Sequence, residues 1–272
     1  MRQFIKLFLL LASFALAGSA FANQVLRIGV SPNYQPLAYK QDGQLTGIDI
    51  AAGETIAQQI GRQAEFVEMP FNQLIPALQA GKIDIIMSGM TITPERNQLV
   101  SFSNPYLSAG QMAIIRYADA SRFGYKGTLF RPDARVAVVA GSTGEKFTND
   151  SLRNAAISRC DSISEALAKL KNGSVDYVIH DAATSWSLAT DTTRQDFMSL
   201  NNELTDERLG WAVNKNNSAL LQTVNQQLAI MQRDGILRAI INKWIPVTVK
   251  VETATPTTTE NTSNTSTNRG NR

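Results

Sequence analysis

Along this chain, short runs in which every second side chain is apolar alternate with longer stretches whose apolar positions recur every three or four residues. The first pattern predicts half-buried strands and the second predicts amphipathic helices. A strand is predicted at 25–30, followed by a Pro-punctuated loop from Ser31 to Lys40 and a turn at Asp42-Gly43. Asp49 precedes a helix over 50–60 that stops at Gly61, and 65–68 forms a second strand. Asn72 then caps a helix over 73–80, with Pro76 in its first turn, and a strand runs over 83–87. A second series follows. Strands are predicted at 111–116 and 135–139, a helix over about 145–156, an amphipathic helix over 163–171 and a strand over 175–179. The chain then runs through 209–213 into a long helix over 219–233, capped by Asn217 or Ser218 and stopped by Asp234-Gly235. A last helix ends near Lys243-Trp244. Strands alternating with helices of these lengths indicate parallel βαβ units.

The two series share a repeated segment: LQAGKIDIIMSGM at 78–90 and LKNGSVDYVIHDA at 170–182. Gly81 pairs with Gly173, Asp84 with Asp176, Ser88 with His180, and Gly89 with Asp181. Each copy is a helix end, a glycine able to take the left-handed stop, an aspartate and a short apolar strand with a polar exit. Two similar α/β lobes are expected, with ligands at the carboxyl ends of the strands, in the cleft between the lobes. The C-terminal elements return to the first lobe, so two chain crossings form a hinge.

The ends of the chain read differently. Arg2 and Lys6, the apolar stretch 7–17 and Ala20-Phe21-Ala22 have the pattern of a cleaved signal peptide over 1–22, shorter than a membrane span of roughly 20 residues. The Thr-, Ser- and Asn-rich end lacks the apolar side chains that would offset its ordering entropy, and a disordered tail is expected over 249–272. The remainder divides into a first part of lobe 1 over 23–113, lobe 2 over 114–206 and the completion of lobe 1 over 207–248. The net charge of +3 falls to +1 once Arg2 and Lys6 are set aside, and no basic run exists, which argues against nucleic acid as a partner. Cys160 and His180 are each the sole residue of their type, so neither a disulfide framework nor a multi-histidine metal site is available. No cofactor is implied, since Gly141-Ser142-Thr143-Gly144 lacks the lysine of a nucleotide-binding loop. A monomer is the default expectation.

Four places carry candidate chemistry. Arg96 follows a strand exit and the run Thr91-Ile92-Thr93-Pro94-Glu95, where Pro94 suits the first position of a helix; its fork of donors matches a carboxylate, or else pairs with a surface acid. Ser142 and Thr143 sit where a turn meets a helix N-terminus, a place that favours an anion but that plain capping also explains. Asp181 ends the second repeated strand and can receive an ammonium or cap the following helix. Tyr34 and Tyr39 either stack on a ligand or cover their own loop. Together these groups describe a receptor for a zwitterion, with no nucleophile–base–orienter set beside them.

The chain resembles the periplasmic polar amino-acid-binding proteins of ABC uptake systems, the glutamine-binding and lysine/arginine/ornithine-binding group. The resemblance rests on LRIGVSPNYQPLAYK, GQLTGIDIA, FNQLIPALQAGKIDIIMSGMTITPER, FSNPY, VAVVAGSTGE, GSVDYVIHD and MQRDGILRAIINKW, in order over almost all of 25–245. It implies a two-lobed periplasmic-binding-protein fold with two crossing strands that closes on an L-amino acid and serves an inner-membrane ABC permease from the periplasm. It implies that Arg96 grips the ligand carboxylate, with Thr91 and Thr143 and the neighbouring Ser142. Asp181 would receive the ammonium together with the Gly89 carbonyl, and Tyr34 would lie over the side chain. Ser31 and Ser88, at two strand exits, complete the set. Ser31 stands where several members carry Asp, Leu37 where Phe is common, and Val139 and Ala140 where Gln often occurs, so a neutral polar ligand is favoured. The chain is also similar, more distantly, to secreted cyclohexadienyl dehydratases, with Glu145 near the position of their acid. The Asn-Pro-Gly-Gly stretch expected before it is replaced by Val139-Ala140-Gly141-Ser142. A binding protein that serves a sensor is the third reading.

Overall fold

A computed structural model describes residues 25–123, 126–190, 196–200 and 202–245; the expected signal segment and tail lie outside them. The chain begins with strand β1 (Val25–Val30), the small hairpin strands β2 (Asn33–Tyr34), β3 (Ala38–Gln41) and β4 (Gln44–Thr46), and helix α1 (Ile48–Gln59). Strand β5 (Gln63–Glu68), helix α2 (Leu74–Gln79), strand β6 (Ile85–Ile86), helix α3 (Pro94–Leu99) and strands β7 (Ser101–Phe102) and β8 (Leu107–Ser108) follow. The second series is β9 (Gln111–Arg116), β10 (Arg135–Val139), α4 (Thr143–Ser151), β11 (Ala156–Cys160), α5 (Ile163–Lys171), β12 (Tyr177–Asp181), α6 (Ala182–Thr190) and β13 (Phe197–Ser199). Strands β14 (Arg208–Leu209) and β15 (Ala212–Val213) and helices α7 (Ser218–Arg233) and α8 (Ile236–Trp244) complete the described chain.

Two five-stranded sheets carry the lobes, in the orders β5-β1-β6-β15-β7 and β11-β10-β12-β9-β13. In each, the first three strands run parallel and the last two join antiparallel. Strand β15 enters the first sheet from the far end of the sequence, so the first lobe is closed by C-terminal residues. Each sheet is apolar on both faces. Ile28, Ile85 and Val213 pack towards α1, α7 and α8, while Ile86 and Ala212 pack with Leu74 and Leu78 of α2. In the second lobe, Ala137 and Val178 face Leu167 and Leu170 of α5, and Val136, Val138 and Tyr177 face Phe123, Leu129 and Leu152. Near-continuous burial of this kind is the mark of strands covered on both sides.

The repeated segments form the same brace in both lobes. Asp84 accepts from the backbone N–H of Arg27 at 2.9 Å and from its guanidinium at 2.6 Å, and the same guanidinium donates to Gly81 O at 2.7 Å. Asp176 accepts from Arg135 N–H at 3.0 Å and from its guanidinium at 2.8 Å, and Arg135 donates to Gly173 O at 2.8 Å. These aspartates pin the starts of the central strands, so the polar exits at the opposite ends face the other lobe.

Several local expectations change. Helix α1 begins at Ile48, so Asp49 lies inside its first turn and Gly47 takes the cap position. Asn72 falls in a 3₁₀ turn (Phe71–Gln73) rather than capping α2. Helix α4 ends at Ser151, short of the expected end near 156, and Ala156–Cys160, for which the sequence pattern predicts no element beyond Ala156, is an edge strand. Strand β9 belongs wholly to the second sheet, so the first crossing comes ahead of the expected division at residue 113.

Two crossings join the lobes. Strands β8 and β14 pair antiparallel, with Leu107 opposite Leu209 and Ser108 opposite Arg208. Beyond them, Ala109 N–H donates to Glu207 O at 3.0 Å, Leu204 N–H to Gln111 O at 2.7 Å, and Gln111 N–H to Thr205 Oγ1 at 2.8 Å. A Cβ on Gly110 would stand 1.8 Å from Thr205 O, so the close approach of the crossings requires glycine there.

Candidate functional site

Strand exits from both lobes meet beside the crossings. Thr93 caps α3 by accepting from Arg96 N–H at 3.2 Å, and Pro94 opens the helix at its first position. Arg96 leaves α3 towards the second lobe. Its guanidinium donates to Thr91 O at 2.8 Å and to Gly141 O at 2.9 Å, and it lies 5.5 Å from the centre of the Phe71 ring. Burial pulls its pKa down, opposed by the charges of Asp181, Glu207 and Glu95. Such a fork, held between two carbonyls and in the field of three carboxylates, has the donor geometry that a carboxylate accepts.

Asp181 ends β12 and is buried. One carboxylate oxygen accepts from the Tyr34 hydroxyl and the other from Gln111 Nε2, which spans from the first residue of β9. Burial raises its pKa to about 7, helped by the charge of Glu207 and opposed by these two donors and by Arg96. Tyr34 packs edge-on against His180 at 4.8 Å. His180 Nδ1 sits 3.0 Å from Thr184 Oγ1, and burial lowers its pKa to about 4, so it stays neutral at physiological pH.

Thr91 and Thr143 face each other at 3.4 Å, and both hydroxyls donate to Glu207 Oε2, at 2.9 and 2.6 Å. Ser142 is the cap of α4, accepting from Glu145 N–H at 3.1 Å. Gly89 has φ +61°, and a Cβ there would stand 2.4 Å from the Tyr34 ring and 2.5 Å from Leu37, so a side chain would displace the tyrosine. Its N–H donates to Asp49 at 2.6 Å. Ser88 Oγ accepts from Ser31 N–H at 2.8 Å, so it ties two strand exits together. A small cavity of about 30 Å³ between the lobes is lined by Ser31, Asn33, Tyr34, Phe71, Val139, Ser142, Asp161, Ser162, Ile163, His180 and Asp181.

The nine residues that the resemblance assigns to the ligand thus lie at this junction, but not in one role. Arg96, Thr91, Thr143, Tyr34 and Asp181 direct polar groups into it, whereas the Ser88 hydroxyl and the Gly89 N–H are used within the first lobe. Tyr39 lines a neighbouring crevice instead, and Leu37 belongs to the core. Glu145 is also committed elsewhere: it accepts from Gly141 N–H at 2.8 Å and pairs with Arg159 at 2.5 Å. Burial alone would raise its pKa, but those two partners hold it below the usual range, so it is not an acid ready to give a proton.

Three polar residues of the site carried no local signal. Glu207 and Gln111 flank the crossings and bond to Thr91, Thr143 and Asp181. Asp49 is fully buried beneath Gly89 and accepts from Trp211 Nε1 at 2.9 Å and Tyr106 Oη at 3.1 Å. An acid in a helix's first turn usually answers the dipole; here its partners come from distant parts of the chain. No cluster among the described residues could hold a metal ion, and none of their helices is long and apolar enough to cross a membrane.

Residues 26–247 match the bacterial extracellular solute-binding proteins, family 3. Among curated relatives, ABC transporter arginine-binding protein 1 of Escherichia coli (strain K12) is 32% identical over 245 residues, covering 87% of this chain and 96% of the relative. The ABC transporter glutamine-binding protein of Bacillus subtilis (strain 168) is 32% identical over 206 residues, covering 75% and 74%. Among solved structures, an ancestral amino-acid-binding protein described as a precursor of cyclohexadienyl dehydratase superposes with a TM-score of 0.77 at 36% identity, covering 81% of this chain and 95% of that one.

Proposed function

This chain belongs to family 3 of the bacterial extracellular solute-binding proteins, and on that premise we propose that it captures one L-amino acid between its lobes and delivers it to an ABC permease. The carrying observation is that Arg96 of one lobe and Asp181 of the other, a donor fork and a carboxylate on sequence-distant elements, feel each other's charge across the interlobe junction. A zwitterion held by both would draw the lobes together as it binds. Arg96, Thr91, Thr143 and Ser142 take the carboxylate, Asp181 and the Gly89 carbonyl take the ammonium, and Tyr34, Ser31 and Ser88 shape the wall beside them. The protein acts as a monomer in the periplasm after removal of 1–22.

Ser31, Asn33 and Ser162 along the cavity suit a neutral polar side chain. A basic side chain is the second reading, favoured by Asp161 in the same lining. The role is that of a receptor and not an enzyme, in keeping with the ion pair that occupies Glu145. A thermal-shift screen of the chain from Asn23, against the common amino acids, ornithine, citrulline and prephenate, tests this. A ligand at 100 times its dissociation constant should add about 2.7 kcal/mol of stability, and Arg96→Ala should abolish that rise while remaining folded. Tight binding by a folded Arg96→Ala protein would remove the carboxylate assignment. Release of phenylpyruvate from prephenate would overturn the receptor reading.

A further inference from the structure

Glu207 stands on the second crossing with both carboxylate oxygens engaged. Oε2 accepts from Thr91 Oγ1 at 2.9 Å and Thr143 Oγ1 at 2.6 Å, with Gln111 Nε2 at 3.5 Å. Oε1 accepts from Thr205 Oγ1 at 2.8 Å, whose own hydroxyl oxygen takes the Gln111 N–H at 2.8 Å. Thr91 belongs to the first lobe and Thr143 to the second, so one carboxylate ties both lobes and both crossings.

A threonine hydroxyl has a single proton to donate. With both protons directed at Glu207 Oε2, Thr91 and Thr143 present only lone pairs to anything else that approaches, and a ligand carboxylate needs donors. We propose that Glu207 is an internal carboxylate that contests the protons of Thr91 and Thr143 with the ligand's carboxylate, and so holds ligand affinity below what the bare site would give. This rests on the reading of the junction as an amino-acid site. Charge acts in the same direction: Glu207 is negative where the ligand carboxylate would be negative, and its charge also disfavours ionisation of Asp181.

Replacing a residue that braced the lobes in their ligand-bound arrangement would weaken binding, whereas replacing a competitor tightens it. The test is calorimetric titration of wild type, Glu207→Gln and Glu207→Ala with the amino acid that most raises the wild-type melting temperature, each variant first checked for a cooperative melt. Both variants are expected to bind more tightly, Glu207→Gln by about tenfold, equivalent to about 1.4 kcal/mol. Equal or weaker binding by folded variants overturns the inference while leaving the receptor reading intact, and would make Glu207 a brace or a partner of the ligand ammonium. Failure of both variants to fold overturns it as well, since the carboxylate would then be a requirement of the fold. A wild-type protein that binds no amino acid removes the receptor reading, and this inference with it.

Discussion

At the scale of single residues, Asp181 shows how burial and neighbours set what a carboxylate can do. Its pKa, raised to about 7, leaves it partly protonated near neutrality, while an incoming ammonium favours the charged form. Ligand binding should therefore release a proton, and affinity should weaken as pH falls below 7, by at most about tenfold per pH unit for one proton. Isothermal titration between pH 5.5 and 8, in buffers of different ionisation enthalpy, measures both effects. Asp181→Asn should bind weakly and flatten the profile; an unchanged profile would show that another group titrates. Protein stability is a poorer readout of the same group. Raised Asp181 loses stability as pH rises from about 4 to 7, while lowered His180 gains it over about 4 to 6.5, and the two oppose each other.

At the scale of elements, the duplicated brace is the clearest link from sequence to architecture. Asp176 is the more buried of the pair and is held by Arg135 and Arg122, at 2.8 and 3.1 Å. Its pKa falls to about 2 because the hydrogen bonds from these arginines outweigh the burial that would raise it. A depressed carboxylate stabilises the fold above its unfolded pKa and stops doing so as pH falls through the folded value, here from about 4 towards 2. Asp176→Asn should cost about 2 kcal/mol in urea unfolding at pH 7, with the difference from wild type shrinking as the pH drops through that window. Asp84→Asn should cost less, since Asp84 keeps 24% side-chain exposure against 5% for Asp176. The element that local pattern missed, β11, has only Cys160 buried along its length. An edge strand with so little apolar alternation gives no strand signal of its own until its partner β10 is known.

At the scale of the whole molecule, the described residues, all within 25–245, contain both sheets, both crossings and every residue assigned to the junction. Removal of 249–272 should thus leave the melting temperature and ligand affinity unchanged, as measured by thermal shift with and without ligand. A loss of either would give the Thr- and Ser-rich end a role that its composition does not suggest. The amino-acid pattern alone indicated two α/β lobes, the repeated helix–strand unit, the return of the C-terminal segment, the Pro94 helix start that carries Arg96 and the strand exit that carries Asp181. These are properties of local periodicity, of capping and of spacing, and they survive without knowledge of what lies across the cleft. The tertiary structure decided the rest: that Asp49 is buried by Trp211 and Tyr106, that Gln111 joins Asp181 to Thr143, and that Glu207 claims the hydroxyls of both lobes. Those partners are separated by tens to more than a hundred residues, and their hydrogen bonds depend on where the two crossings bring the lobes together. Side chains with no periodicity of their own acquire a role only when folding sets them against one another.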